Sequence, residues 1–251
     1  MAKIIAIHSF RGGTGKSNMT ANVATLLAAE GQRIGVVDTD IQSPGIHVLF
    51  GMSQERMNRS LNDYLWGRCD IGAAAHDVTS SLDERLAGRV FLIPSSSNPS
   101  DIARVMHDGY DVGLLNQGFR SLMRELELDA LIIDTHPGLN EETLLSIAIC
   151  ESLAIVMRPD QQDYEGTSVA VSVARKLRVP RMVLVVNNTP TAFDFAEVKE
   201  RVEKTYECEV VAVLPHSDEL MILSSQGIFA LRYPDHPVTG LYRQVAACLT
   251  A

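Results

Sequence analysis

Nothing in this sequence points to a structural metal centre, a membrane span or a dithiol. Cys69, Cys150, Cys208 and Cys248 are scattered, and no two stand as a CxxC pair. That spacing argues against a zinc site or a redox motif and fits buried thiols in a reducing cytosol. The seven histidines include no HExxH and no paired ligand spacing, so a structural metal is not expected. No apolar run is long enough to cross a bilayer. The run at the start, Met1-Ala-Lys-Ile-Ile-Ala-Ile7, turns polar at His8-Ser9 and is too short for a signal peptide. The expectation is a soluble, cytoplasmic protein. Positive charge is scarce as well: 22 basic against 31 acidic residues give a net charge of -9, so nucleic acid or anionic lipid would have to meet a local basic patch. Repeats, linkers and low-complexity tracts are missing, so residues 1–251 read as a single domain.

What is present is apolar and regularly spaced. The hydrophobic fraction, 46%, suffices for a sizeable core. Seven short runs, Ile4–Ile7, Ile34–Val37, Val90–Ile93, Ala130–Ile133, Leu153–Met157, Met182–Val186 and Val210–Leu214, lack polar alternation. Such runs are expected of parallel strands covered on both faces. Between them Met19, Val23, Leu26 and Leu27 repeat at helical spacing, as do Phe119, Leu122, Met123 and Leu126, and Val198 and Val202. Glu30-Gly31 reads as a helix end. Strands alternating with helices imply right-handed crossovers and a doubly wound α/β fold: a mostly parallel sheet of about seven to eight strands with helices on both faces. Residues 42–89 depart longest from that alternation, and Ser95–Ser100 reads as a loop after a strand.

After the first run comes Phe10-Arg11-Gly12-Gly13-Thr14-Gly15-Lys16-Ser17, leading directly into a helix. Glycines let backbone N–H groups turn inward around phosphate oxygens, and the helix N-terminus adds its positive end. In such a loop Lys16 reaches the β- and γ-phosphates and Ser17 places its hydroxyl on Mg²⁺. The common pattern GxxxxGK[ST] wants glycine where this chain has Phe10. A glycine-rich turn that binds nothing is the alternative.

The loop resembles the variant Walker A sequence KGGxGK[ST] of the MinD/ParA family of ATPases, within the wider class that includes nitrogenase iron protein. The resemblance extends over nearly the whole chain. A DxD element after the second strand is matched by Asp38-Thr39-Asp40, and an apolar strand ending in Asp-Thr-x-x-Gly by Leu131-Ile-Ile-Asp134-Thr135-His136-Pro137-Gly138. A strand ending in Asn and a later one ending in Leu-Pro are matched by Asn187 and Leu214-Pro215. Leu61–Gly67 looks more like the MinD branch than the ParA branch. The resemblance implies ATP and Mg²⁺ as cofactors, bound by Gly12, Gly13, Thr14, Gly15, Lys16 and Ser17. It places Asp40 near the attacking water, Asp38 near the Mg²⁺ shell, and Asp134 on Mg²⁺ directly or through water. Gly138 would give its backbone N–H to the γ-phosphate as a switch does, and Asn187 and Pro215 would meet the adenine. Asp38, Asp40 and Asn187 also suit ordinary strand-end turns.

Arg11 departs from the family, which uses a lysine there to reach across a nucleotide-sandwich homodimer. Arginine keeps the charge and offers a planar fork suited to phosphate, but it does not replace lysine one for one. The expectation is that Arg11 acts in trans, against the alternative of a solvated arginine at the loop mouth. His136 could contact a partner or simply stand in water, and Arg158–Tyr164 would lie near the dimer face.

The function implied is a slow, partner-stimulated ATPase switch that dimerises with ATP and positions a cargo or division-related complex. One competing reading is a metabolic P-loop ligase, for which no acceptor pocket is evident. Another is a DNA-partition ATPase, for which Arg175-Lys176-x-Arg178 and Arg181 are the candidate patch; a helix C-terminus whose cations offset its dipole is the favoured reading there. A third, a redox ATPase, would need cysteines in switch positions that Cys69 and Cys150 do not occupy. MinD proteins proper end in a basic amphipathic helix that lies on the membrane. Residues 238–251 carry only Arg243 as a cation, and Leu241, Val245 and Cys248 suit packing on the core, so that route to the membrane is not expected.

Overall fold

The computed structural model describes residues 2–83, 86–223 and 225–251. Its centre is an eight-stranded sheet made of β1 (Lys3–His8), β2 (Arg33–Asp38), β3 (His76–Asp77), β4 (Arg89–Ile93), β5 (Ala130–Asp134), β6 (Ser152–Met157), β7 (Arg181–Thr189) and β8 (Val210–Pro215). The spatial order is β3-β4-β2-β5-β1-β6-β7-β8. Every pairing is parallel except that of β3 with β4. All seven apolar runs are strands. The eighth, β3, is two residues long and carries no apolar pattern to announce it.

The helices lie on both faces, as a doubly wound sheet requires. Strand alternation sends Ile5 and Ile7 of β1 into one core layer and Ile4 and Ala6 into the other. The first layer is covered by α1 (Lys16–Ala29), α2 (Ile46–Leu49), α11 (Phe229–Arg232) and α12 (Pro237–Thr250). The second is covered by α3 (Leu61–Leu65), α5 (Pro99–Asp108), α6 (Gly113–Glu125), α7 (Glu141–Ile149), α8 (Gln161–Lys176) and α9 (Phe195–Tyr206). Two short helices, α4 (Thr79–Leu82) and α10 (Asp218–Leu223), complete the set. The chain between β2 and β4 holds α2, α3, β3 and α4, which accounts for the long interruption of the alternation.

One expectation is corrected. The serine-rich stretch is a loop only as far as Asn98, whose side chain accepts from the Ser100 backbone N–H and caps α5, with Pro99 at the first helical position. Proline there needs no N–H donor and is preset for helix, so Ser100 belongs to α5. At the other end of the chain, α12 buries Val238, Tyr242, Val245, Ala246 and Leu249 against α1 and β8. Its apolar stripe faces the core, with Leu241 and Cys248 at its margin. Among the described residues, no helix is long and apolar enough to cross a membrane.

β1 sits in the middle of the sheet, with β5 and then β2 on one side and β6 on the other. Connections leaving these strands diverge to opposite sides and open a crevice at their carboxyl ends, where open α/β sheets bind ligands.

Candidate functional site

The loop from β1 into α1 is shaped by backbone sign changes. Gly13 and Gly15 take φ of 78° and 92°, which interrupts the right-handed path and turns successive N–H groups to one side. Gly15 is also sterically required: a Cβ there would stand 2.3 Å from the Asn187 Nδ2. The α1 amides that follow have no partner one turn back, as at any helix start, and point into the same concavity. Residues 12–18 line a cavity of about 230 Å³, closed on the far side by Asp40 and Pro137.

Beneath that cavity one carboxylate gathers three donors. Asp134, 1% exposed, accepts from the Lys16 Nζ at 2.9 Å, the Ser17 Oγ at 2.7 Å and the Thr20 Oγ1 at 2.9 Å. Strand alternation explains the direction, since residue 134 is in phase with Ile132 and faces α1. The parallel register sets Asp38 of β2 beside Asp134 of β5. Asp38 is wholly buried, and its oxygens accept from the Asp40 and Gly45 backbone N–H groups at 3.0 and 3.4 Å. Burial, reinforced by the Asp134 charge and opposed by Lys16, pushes its carboxyl well above the ordinary range. Burial raises Asp40 too, against the pull of His136 and Lys16. Asp40 stands at the mouth, where the Ser43 N–H donates to its Oδ1 at 3.1 Å and the His136 Nε2 lies 3.7 Å away.

Three carboxylates therefore face one lysine across a buried floor. A divalent cation fits that donor set: it would take the Ser17 hydroxyl and Asp134 as oxygen ligands and relieve the charge that raises Asp38. The inward amides and Lys16 suit the opposite charge, a chain of phosphates, at the mouth.

Other expected residues sit as follows. Gly138, in the left-handed region with φ of 86°, follows β5 across the crevice, and its N–H donates to the Ser9 carbonyl at 3.2 Å. The Asn187 side chain donates from Nδ2 to the Thr14 carbonyl at 2.7 Å, so it braces the loop from β7. Pro215 ends β8, three strands from β1, and does not line the phosphate cavity. Arg11 is not loose in solvent: its Nη1 lies 3.0 Å from the Asp163 Oδ1 and 3.3 Å from the Asp160 Oδ1. Asp163, 2% exposed, also accepts from the Arg158 backbone N–H at 2.8 Å and from its Nε at 3.2 Å. The stretch from Arg158 to Tyr164 thus supplies a double receptor for Arg11 within the chain, a pairing that the sequence reading, which placed this stretch near a dimer face, did not anticipate.

Sequence reasoning passed over Thr20, Thr39 and His8. Thr20 lies one turn after Lys16 on α1, a spacing that could have flagged it. Thr39 donates from both N–H and Oγ1 to the Asp134 carbonyl, at 2.9 and 3.1 Å. His8 ends β1, and no local pattern marks it. The basic patch of α8 is partly spent: Arg175 donates to the Tyr206 and Glu207 carbonyls, and Arg181 to the Cys248 Sγ at 3.0 Å, with Glu209 3.8 Å away.

Residues 2–181 match the family model described as an AAA domain. An uncharacterized ATP-binding protein of Methanocaldococcus jannaschii is 26% identical over 250 residues, covering 99% of this chain and 88% of that protein. An iron-sulfur cluster carrier protein of Pseudomonas fragi is 28% identical over 255 residues, covering 97% of this chain and 83% of its own. Among solved structures, the septum site-determining protein MinD of Pyrococcus horikoshii OT3, complexed with Mg-ADP, superposes with a TM-score of 0.81 at 21% identity, over 100% of this chain and 99% of that one.

Proposed function

The chain belongs to the AAA domain family and has the MinD/ParA P-loop fold, and from that premise we propose that it is an ATP-hydrolysing molecular switch using Mg²⁺. The observation that carries this reading is the convergence of Lys16, Ser17 and Thr20 on Asp134 beneath an inward-turned glycine loop. That set is stored compactly and can be redistributed when phosphate enters. Lys16 then turns its charge from Asp134 to the β- and γ-phosphates, and the amides of residues 12–17 hold the remaining oxygens. Ser17 and Asp134, backed by Asp38, would hold Mg²⁺, which would supply positive charge to offset that of the phosphates.

Hydrolysis also needs a water held in line. Asp40 is the carboxylate at the mouth, fixed by the Ser43 N–H, and is assigned to orient that water. Gly138 is assigned to sense the terminal phosphate with its N–H. Arg11 is assigned to reach a second copy's phosphates in a homodimer; its pairing with Asp160 and Asp163 is then the resting arrangement, exchanged for phosphate on dimer closure. In this reading ATP closes a cytoplasmic dimer and a partner protein triggers its opening, so that a cargo or division-related complex is positioned. Asn187 and Pro215 are proposed to bound the adenine side.

The iron-sulfur relative invites a cluster as cargo, but the chemistry here does not favour one. The four cysteines are free, and burial pushes the Cys150 thiol up to about 12.

The test is ATP hydrolysis together with solution mass by light scattering. The wild type should hydrolyse ATP slowly and only with Mg²⁺, and Asp40→Ala should accumulate as a dimer with ATP. An Asp40→Ala protein that stays monomeric at saturating ATP and Mg²⁺ would remove the dimer mechanism. Rapid turnover dependent on a small acceptor would favour a metabolic enzyme instead.

A further inference from the structure

The site has a second floor, on the side of the sheet away from α1. His8 is the last residue of β1 and is fully buried; alternation places it in phase with Ile4 and Ala6, on the α7 and α8 face. Its Nδ1 lies 2.9 Å from the Thr135 Oγ1. The Thr135 hydroxyl has one proton, and it donates that to the Ile7 carbonyl at 3.2 Å. Thr135 must therefore accept, and His8 donates from Nδ1–H. Burial, helped by the Lys16 charge, lowers the imidazole pKa to about 3, so the ring is neutral at physiological pH, and the Thr135 contact selects the tautomer. Its Nε2 is then a bare acceptor, buried and without a hydrogen-bonding partner among the described residues. Such a group disfavours the folded state, and an apolar side chain would avoid it.

What His8 does in return is visible in the segment after β5. Asp134 is held from the α1 side by Lys16, Ser17 and Thr20. Thr135 is held from the opposite side by His8, and the His136 carbonyl accepts from the Thr143 Oγ1 of α7 at 3.1 Å. Three consecutive residues are thus pinned by three different elements. The next peptide, joining Pro137 to Gly138, is held only by the switch segment itself and the loop facing it: its carbonyl meets the His136 Nδ1 at 2.5 Å, and its N–H rests on the carbonyl of Ser9, the residue after His8.

We infer that His8 is a positioning residue: by fixing Thr135 it confines the response to the terminal phosphate to the Pro137–Gly138 peptide, whose N–H exchanges the Ser9 carbonyl for a phosphate oxygen. The inference rests on the ATP-site reading above and adds how ATP is told from ADP. Without His8, Thr135 keeps only its N–H and hydroxyl bonds to the Ile7 carbonyl, at 3.3 and 3.2 Å; the segment before Gly138 is held less firmly, and the γ-phosphate contributes less to binding.

The experiment measures affinities for ADP and for a non-hydrolysable ATP analogue, by displacement of a fluorescent ADP, together with kcat and KM for hydrolysis. It compares wild type with His8→Leu, Thr135→Val, His8→Asn and His8→Gln. His8→Leu and Thr135→Val should each reduce the preference for the ATP analogue over ADP by about tenfold, the scale of one hydrogen bond, and lower kcat. ADP affinity should stay within about twofold, since ADP has no terminal phosphate for Gly138 to meet; this also certifies the fold. His8→Asn puts a donor where Nδ1 stands and should preserve the preference; His8→Gln puts it where Nε2 stands and should not. An unchanged preference in both His8→Leu and Thr135→Val overturns the inference, as does a loss in His8→Asn equal to that in His8→Leu with ADP binding intact. If His8→Leu loses ADP binding through misfolding, Thr135→Val and His8→Asn decide by the same criteria. Failure of the wild type to bind either nucleotide would defeat the ATP-site reading itself, a result distinguishable from failure of the His8 role alone.

Discussion

Asp38 and His8 hold opposite positions on the pH axis, and each makes stability depend on pH in its own direction. Burial raises the Asp38 pKa, so its contribution is fully present below the unfolded value of 3.8 and is lost as pH rises through the folded value. At neutral pH, where the unfolded chain carries it charged, Asp38 is therefore a burden borne for the site. Asp38→Asn should raise the melting temperature of the ligand-free protein at pH 7 by roughly 2–6 °C, with the gain shrinking towards pH 4, while Mg²⁺-dependent hydrolysis falls steeply. A lower melting temperature with hydrolysis intact would contradict that assignment. His8 runs the other way. Its folded pKa of about 3 lies below the model-peptide value of 6.5, so stability is held above pH 6.5 and declines as pH falls from there towards 3. The slope is at most about 1.4 kcal/mol per pH unit, and urea titrations of wild type and His8→Asn between pH 7 and 4 should differ by that trend. Parallel curves would show that the imidazole is not buried neutral.

Among the elements, α8 shows how a helix start can serve two purposes. The Asp160 side chain caps it by accepting from the Asp163 N–H at 3.0 Å, and both carboxylates face Arg11. Asp160 is partly exposed, so Asp160→Ala should cost about 1 kcal/mol, the ordinary value of an N-cap. Asp163 is buried and accepts from the Arg158 backbone N–H as well as pairing with two arginines that also reach Asp160, so Asp163→Ala should cost more, about 2–3 kcal/mol, because it leaves that N–H unpartnered and removes the buried half of the pairing. Urea denaturation of the two variants checks the order; equal costs would mean that Arg11 and Arg158 do not depend on the buried carboxylate. The same elements show what sequence can carry. Seven strands were legible because β-branched runs without polar alternation have one favourable environment, a sheet covered twice. The loop from Arg11 to Ser17 was legible because its chemistry is written in adjacent residues. The Arg11 receptor was not, since Asp160 and Asp163 lie some 150 positions away and come near only through the β1–β6 pairing. The contact between His8 and Thr135 was invisible for the same reason, being made across neighbouring strands. β3 was missed because two residues cannot show a period.

Across the whole molecule, the parts assigned to phosphate, cation and water lie at the carboxyl ends of β1, β2 and β5, three adjacent strands at the centre of the sheet. The adenine side is proposed to lie at β7 and β8, and Arg11 stands beside the start of α8. In the proposed reading, the order sets the phosphate and cation groups in the middle and leaves towards the edge the arginine assigned to a second copy. Calorimetric titration of ATP·Mg²⁺ into the wild type and Lys16→Ala tests this account most directly. A saturable heat at one site per chain in the wild type, lost or weakened at least about a hundredfold in Lys16→Ala, is the expected result. A folded wild type that takes up no ATP·Mg²⁺, or one whose binding is the same with alanine at position 16, would contradict it.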